Sequence, residues 1–368
     1  VNEEPTPQLS LADLGWRDYF QSQFEDHRDG NSDVVLKPAR VGRQDLGGYH
    51  LLSPDGDLVG KLPGKFRLEA STKAQLPTVG DWVLVRPADG GDPSSVVIDR
   101  MLTRFSKFSR KEAGERYEEQ VVAANVDTVF IVTGLDNNFN AGRIERYLVL
   151  AWNSGSSPVI VLSKADLATD IEEKLRALEP IAMGTPIHVA SAITGDGLDV
   201  LRDYVGPGKT VALLGSSGVG KSTMINSLLG FDRFETGDVR EGDSKGRHTT
   251  TFRELCFVPG GGLLIDTPGM REIQVWAEDG LGGFDDVVSL ASRCRFNDCQ
   301  HASEPGCAIR EAIGSGTLSA GRLESYHKFQ RELKHFEDKQ DTSLQAKKRQ
   351  ELRKFSKSLK KRPDKRDK

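Results

Sequence analysis

Cysteine is scarce, with only four in 368 residues. Three of them, Cys294, Cys299 and Cys307, fall within fourteen residues, which argues against a disulfide framework and for a metal site in a reducing compartment. Long apolar runs are missing as well. Nowhere do eighteen apolar residues follow one another, and the first twenty, VNEEPTPQLSLADLGWRDYF, are polar and acidic with no apolar leader core. Neither membrane insertion nor export is indicated, so the cytoplasm is the expected compartment. No internal repeat is visible. An overall basic excess is also absent, the formal net charge being -4, which alone argues against a nucleic-acid partner. That average hides a segregation. Residues 1–33 carry eight acids against two arginines, whereas residues 343–368 carry twelve lysines and arginines against three acids, a net of +9. The charge that could seek a partner sits at the C-terminus, on a solvated helix or a disordered arm.

What is present suits a soluble multidomain α/β protein, with 37% hydrophobic and 28% charged residues over a length sufficient for two or three domains. From Val34 to about Arg110, short β-prone runs (VVLKPARVG, GYHLLS, DLVGKL, DWVLVRP, SVVIDRM) alternate with Gly, Pro and Asp turns. Five such strands suit a small OB-fold barrel, a β-sandwich fragment being the alternative. Farther along, VDTVFIVTGL, SPVIVLSKADL, IHVAS, KTVALLGSSG and GLLIDTPG are continuous apolar runs ending in turn residues. Between them lie helical patterns, which predicts a parallel sheet covered on both faces. Near the C-terminus, Tyr326, Phe329, Leu333 and Phe336 share one helical face, a stripe expected to pack into a core.

The segment Gly215-Ser216-Ser217-Gly218-Val219-Gly220-Lys221-Ser222-Thr223 follows an apolar strand and opens a helix. That context makes the phosphate-loop pattern credible. Its glycines let backbone N–H groups converge on phosphate oxygens at a helix N-terminus. Lys221 is placed to neutralise the β- and γ-phosphates, and Ser222 to ligate Mg²⁺. The loop alone does not separate ATP from GTP. For that, Ser163-Lys164-Ala165-Asp166 ends an earlier strand. A carboxylate there can accept from guanine N1–H and N2–H₂ together, with the lysine stem across the purine. Ser191-Ala192, ending the next strand, offers a backbone N–H to guanine O6. In Asp266-Thr267-Pro268-Gly269, Asp266 suits Mg²⁺ through water, and the Gly269 amide suits the γ-phosphate. Within GRHTTT, Thr249 or Thr250 would complete the metal shell. If SKAD is only a helix cap, a P-loop kinase or ATPase remains open.

These elements stand in the order base, base, phosphate loop, switch one, switch two. A circular permutation produces that order while keeping the site in space, with DYVGPGKT (203–210) as the joining segment. Cys294-x₄-Cys299-x-His301-x₅-Cys307 supplies three thiolates and an imidazole, the closed tetrahedral set of one structural Zn²⁺. Cys256 is expected to be a small core residue.

Taken together, the barrel segment with VGDWV (79–83), AANVD (123–127), the permuted motifs and the Cys/His element resemble the bacterial ribosome small-subunit-dependent GTPases, the RsgA/YjeQ family. The resemblance implies an OB-fold, a permuted GTPase domain and a zinc domain that bind the small (30S) subunit late in assembly and hydrolyse GTP there. The expected division is an acidic extension (1–33), an OB-fold (34–110), the permuted GTPase domain (111–283), an α-helical zinc domain (284–340) and a basic tail (341–368). Ser163 departs from the Asn or Thr usual in this signature. It retains a hydroxyl, so guanine selectivity is expected to survive with weaker bracing of the phosphate loop. Met270 after DTPG cannot orient a water, which leaves His248 in switch one as the candidate for that task. The expected partners are GTP/GDP, the small subunit and its rRNA, with no membrane and a monomeric chain. Trp82 is a possible base-stacking residue or a core one. A GTP-regulated protein acting on another RNA is the second functional reading.

Overall fold

The computed structural model describes residues 9–29, 35–45, 47–70, 72–88, 92–111, 119–182, 184–234, 254–266, 284–296, 298–318 and parts of 320–334. Switch one, the DTPG segment after Asp266, Phe329, Leu333, Phe336 and the basic tail lie outside them. Helix α1 (Asp18–Asp29) leads into strands β1 (Lys37–Asp45), β2 (Gly48–Ser53) and β3 (Gly56–Lys61). A short helix α2 (Gly64–Glu69) then precedes β4 (Trp82–Pro87) and β5 (Ser95–Met101). The five strands close on themselves. β1 pairs with β2, β2 with β3, β3 in parallel with β5, β5 with β4, and β4 back with β1. Closure with one parallel pair, and a helix between the third and fourth strands, is the OB-fold barrel. Its interior is filled by the alternate inward residues Val41, Leu51, Val83, Val85 and Ile98.

The N-terminal segment is apolar where it matters. Leu14 and Phe20 are fully buried, and the Trp16 and Phe20 rings lie 4.7 and 5.8 Å from that of Trp82. Trp82 is itself fully buried, which removes it as a base-stacking surface. Behind it, the buried Arg40 guanidinium donates to the carbonyls of Leu14, Gly80 and Asn125. Burial pulls this cation down to about 10, with Asp127 and Asp81 opposing the shift, so it stays charged at neutral pH. One buried arginine thus ties the leading segment, the barrel and the following hairpin together.

That hairpin, β6 (Lys107–Lys111) with β7 (Glu119–Ala124), leads into the α/β half. There the chain runs β8 (Thr128–Gly134), α3 (Ala141–Asn153), β9 (Ser157–Ser163), α4 (Ile171–Ala182), β10 (Ile187–Val189) and α5 (Leu198–Tyr204). It continues through β11 (Thr210–Leu214), α6 (Lys221–Leu229), β12 (Glu254–Phe257) and β13 (Leu263–Asp266). The strands lie in the order β10-β9-β8-β11-β13-β12, all parallel except β12. From β8 the chain winds outward to β10, then α5 returns it to β11 on the other side of β8. Loops leaving β8 and β11 therefore diverge, opening a crevice at the carboxyl ends of the strands, where α/β sheets bind ligands. Cys256 is buried on β12, a core residue.

β12 also meets the barrel, Arg43 of β1 standing opposite Glu254, so barrel and α/β strands form one sheet of eleven. Arg43 Nη1 and Arg233 Nη2 lie 3.6 and 2.8 Å from the two oxygens of Glu254. Beyond the sheet, α7 (Asp285–Ala291) and α8 (Ala308–Gly314) flank the Cys/His element. Tyr326 is buried against Phe284, ring centroids 5.5 Å apart. Arg322 anchors this unit to α3. It donates to Glu145 at 3.0 Å and to both Asp286 oxygens at 3.2 Å, and stacks 4.3 Å over Phe284. Among the described residues no helix is long and apolar enough to cross a membrane.

Candidate nucleotide site and metal centre

The phosphate loop leaves β11 and ends at the first residue of α6. Its glycines have separate reasons. A Cβ on Gly215 would stand 2.3 Å from the Val132 carbonyl oxygen, so only glycine permits this approach to β8. Gly218 and Gly220 have φ of +75° and +91°, a region that side chains disfavour. The Lys221 ammonium reaches back across the loop to the carbonyls of Gly215 and Ser216, at 2.9 and 2.7 Å. Ser222 and Thr223 lie in the first turn of α6, whose N-terminal end favours anions.

Two earlier elements converge on this loop. The Ser163 hydroxyl, at the end of β9, lies 2.6 Å from the Val219 carbonyl and 3.1 Å from that of Thr133. Having one proton, it gives it to the nearer acceptor, Val219. Ser163 therefore ties the SKAD turn to the phosphate loop with a single donor. From α3, Arg143 Nη1 donates to Ser216 Oγ at 2.8 Å, and Asn140 caps that helix by accepting from the Arg143 amide. On α6, the Ser227 hydroxyl lies 2.9 Å from the Thr223 carbonyl, its nearer acceptor, and 3.2 Å from that of Ala192. Arg143 and Ser227 carry no motif signature, so spacing alone did not mark them.

The SKAD turn and the Ser191-Ala192 turn are linked as well. Ser191 Oγ donates to Asp166 Oδ1 at 2.5 Å and accepts from the amides of Ile193 and Thr194. This fixes the Asp166 carboxylate and shapes the turn carrying Ala192. Lys164 adopts left-handed backbone geometry, φ +61°, and its ammonium lies 2.7 Å from Asp136 Oδ2 on the β8–α3 loop. For Asp136, burial pushes its carboxyl up, but hydrogen bonds from Lys164 and from the Asn138 amide outweigh it and hold the group low. Asp266 ends β13, next to the phosphate-loop strand. His248, Thr249, Thr250 and Gly269 lie outside the described residues.

In the C-terminal unit the ligand atoms of Cys294, Cys299, His301 and Cys307 all lie within 4.8 Å of one another. Cys294 and Cys307 sulfurs are 3.9 Å apart, and His301 Nδ1 is 3.6 and 3.5 Å from them. A tetrahedral ion with bonds of ~2.3 Å to sulfur and ~2.0 Å to nitrogen requires about 3.8 and 3.5 Å. The donor set thus has the chemistry and spacing to hold zinc. His301 has φ +60°. Its loop is held by the Glu304 carboxylate, which accepts from the amides of Gln300, Ala302 and Ser303. Glu304's own amide and those three bonds pull its carboxyl down to about 2. Burial depresses the His301 imidazole and drives the Cys299 thiol up to about 11. Burial pushes the Cys294 thiol up, but hydrogen bonds from the Ala308 and Ile309 amides and from the Cys307 and Cys299 thiols together hold it low.

Residues 101–276 match the family model described as RsgA GTPase. The chain is 46% identical over 333 residues to the small ribosomal subunit biogenesis GTPase RsgA of Opitutus terrae, covering 88% of this chain and 90% of that one. Among solved structures, YjeQ from Thermotoga maritima superposes with a TM-score of 0.62 at 30% identity, over 81% of this chain and 99% of that one. YloQ, described as a circularly permuted GTPase, superposes with a TM-score of 0.57 at 24% identity, over 82% and 96% of the two chains. The match to YloQ supports the fold, whose strand path from β8 through β13 is traced above. With that path, a guanine-type turn braced on a phosphate loop, and near-complete coverage of its relatives, the chain belongs to the RsgA family of circularly permuted GTPases.

Proposed function

We propose that this chain acts in late maturation of the small (30S) ribosomal subunit, binding the subunit and its rRNA and hydrolysing GTP to GDP and phosphate faster when bound there. The observation that carries the nucleotide reading is the pair of side-chain links, Ser163 to Val219 and Ser191 to Asp166. They join motifs far apart in sequence into one base-and-phosphate cradle. The subunit assignment rests on the relatives' names.

In this reading Asp166 reads guanine N1–H and N2–H₂, Lys164 covers the purine face, and the Ala192 amide meets O6. Amides from Gly215 to Thr223 cradle the phosphates, and Lys221 neutralises the β- and γ-oxygens. Ser222 and Asp266, with Thr249 or Thr250, would hold Mg²⁺, which when bound offsets charge on the phosphate oxygens. The Gly269 amide senses the γ-phosphate. Phosphoryl transfer to water then needs little beyond positioning, and His248 orients the attacking water. Zn²⁺ on Cys294, Cys299, His301 and Cys307 is structural, because four protein ligands leave no open position. The basic tail binds rRNA phosphates. The protein works as a cytoplasmic monomer.

The deciding experiment measures GTP hydrolysis by the full chain with purified small subunits, large subunits or neither, with ATP as competitor. Stimulation by small subunits alone, insensitive to ATP, is expected. Equal rates in all three mixtures would overturn the subunit assignment, and competition by ATP the guanine one. Single-turnover rates equal for wild type and His248→Ala, with and without subunits, would remove His248 from the mechanism.

A further inference from the structure

We propose that Asp136, outside every motif of the nucleotide site, is a positioning residue for the base and acts through Lys164. It rests on the reading of Lys164 and Asp166 as the base-recognition pair.

Lys164 is held at both ends. Its backbone is left-handed, a conformation that a lysine keeps only where its surroundings enforce it. The Ala165 amide donates to the Ala190 carbonyl at 3.2 Å, and the Leu167 amide to the Lys164 carbonyl at 3.1 Å. At the far end, the ammonium meets Asp136 Oδ2. Asp136 is anchored in turn, because its other oxygen accepts from the Asn138 amide at 2.9 Å. The adjoining Leu135 is pinned twice. Its amide donates to the Ser163 carbonyl at 2.9 Å, and its carbonyl accepts from Lys174 Nζ at 2.7 Å. The carboxylate therefore stands on a loop registered against the same strand end that carries Lys164.

The stem of Lys164 is stretched between two fixed points. A free lysine stem samples many rotamers and would lose that freedom when a purine settles against it. Here the ordering precedes the nucleotide, so Asp136 contributes pre-organisation. Two consequences follow. The benefit appears in nucleotide affinity, because the γ-phosphate chemistry lies at the other end of the ligand. It is also indifferent to the base edge, since the stem covers a face that guanine and xanthine share.

The test uses the zinc-loaded full chain and fluorescent GDP. Asp136→Asn keeps an acceptor for the Asn138 amide and removes the charge. It is expected to weaken GDP and GTP binding about tenfold, raising KM with kcat unchanged. In the Lys164→Met background, adding Asp136→Asn is expected to change affinity less than twofold, since the coupling partner is gone. In the Asp166→Asn background, which is expected to turn preference from guanine to xanthine, Asp136→Asn is expected to cost xanthosine diphosphate the same tenfold. Asp136→Ser serves as a second charge-removing variant, and thermal melts of each establish that the fold is intact. GDP affinity of a folded Asp136 variant within twofold of wild type would overturn the proposal. So would an undiminished loss in the Lys164→Met background. Failure of Asp166→Asn to favour xanthine overturns the base reading instead, and the two failures are distinguishable.

Discussion

Arg322→Met gives a sharp test of how the C-terminal unit is attached. The Arg322 and Glu145 side chains are 4% and 8% exposed, and their 3.0 Å contact joins residues 177 positions apart. Removing one partner of a buried ion pair costs ~3–5 kcal/mol, because the remaining charge stays desolvated. Asp286, at 35% side-chain exposure, adds only ~0–1 kcal/mol. The guanidinium stacked 4.3 Å over Phe284 represents a further ~1–2 kcal/mol, part of which a methionine recovers by packing. The contributions share one side chain and do not add, so a loss of about 4 kcal/mol is expected. For a unit this small that lowers its melting midpoint by roughly 20 °C. Urea unfolding of the zinc-loaded chain followed by circular dichroism measures it, and limited proteolysis identifies the C-terminal unit as the part released. The double variant Glu145→Leu/Arg322→Met is expected to recover most of the loss, since an apolar pair can replace a buried ionic one at little cost. A single variant within about 1 kcal/mol of wild type, or a double variant no better than the single, would refute the reasoning.

Ser163→Ala removes the donor to the Val219 carbonyl and leaves a buried acceptor unsatisfied, at a cost of ~1–3 kcal/mol. Equilibrium titration is expected to show guanine nucleotides bound roughly tenfold more weakly, while Ser163→Thr stays near wild type. Cys299→Ser is expected to lower zinc content, read by elemental analysis, and to expose the C-terminal unit to protease. Wild-type protein treated with chelator is expected to behave alike. Glu304→Gln weakens the acceptor that gathers three amides of the His301 loop, and is expected to speed zinc loss to a chromogenic chelator. Zinc release at the wild-type rate would show that the loop holds its shape without the charge.

Local chemistry made much of this fold legible. The five barrel strands and the parallel strands bearing the nucleotide motifs stand where their apolar runs and turn residues placed them, because each signal lies within a few neighbouring residues. The phosphate loop was equally plain. Ser163 was the open point, and a single hydroxyl bond to Val219 now defines its brace. What escaped has a common cause. The apolar face of Leu14, Trp16 and Phe20 was hidden by the acidity around it, and its partner Trp82 is remote in sequence. Asp136, Arg143 and Arg322 act on residues from 28 to 177 positions away, and no periodicity encodes such pairings. Between and within β6 and β7 runs the mostly charged stretch RKEAGERYEE (110–119), which lacks the apolar–polar alternation of a strand pair, so period-two patterning did not announce it.

The pairing of β1 with β12 bears on how the molecule can be divided. A domain joined by a linker can be excised, leaving both pieces with finished surfaces. Here the barrel shares a sheet with the α/β strands, and the leading segment packs on the barrel. Deleting residues before about 110 would strip β12 of its outer neighbour, leave Glu254 without Arg43, and bare an unpaired strand edge of the kind that recruits other chains. A fragment beginning at the hairpin is therefore expected to aggregate rather than report the GTPase domain's own behaviour. A fragment retaining residues from about 9 onward keeps the edge covered and is the smaller piece suited to study alone.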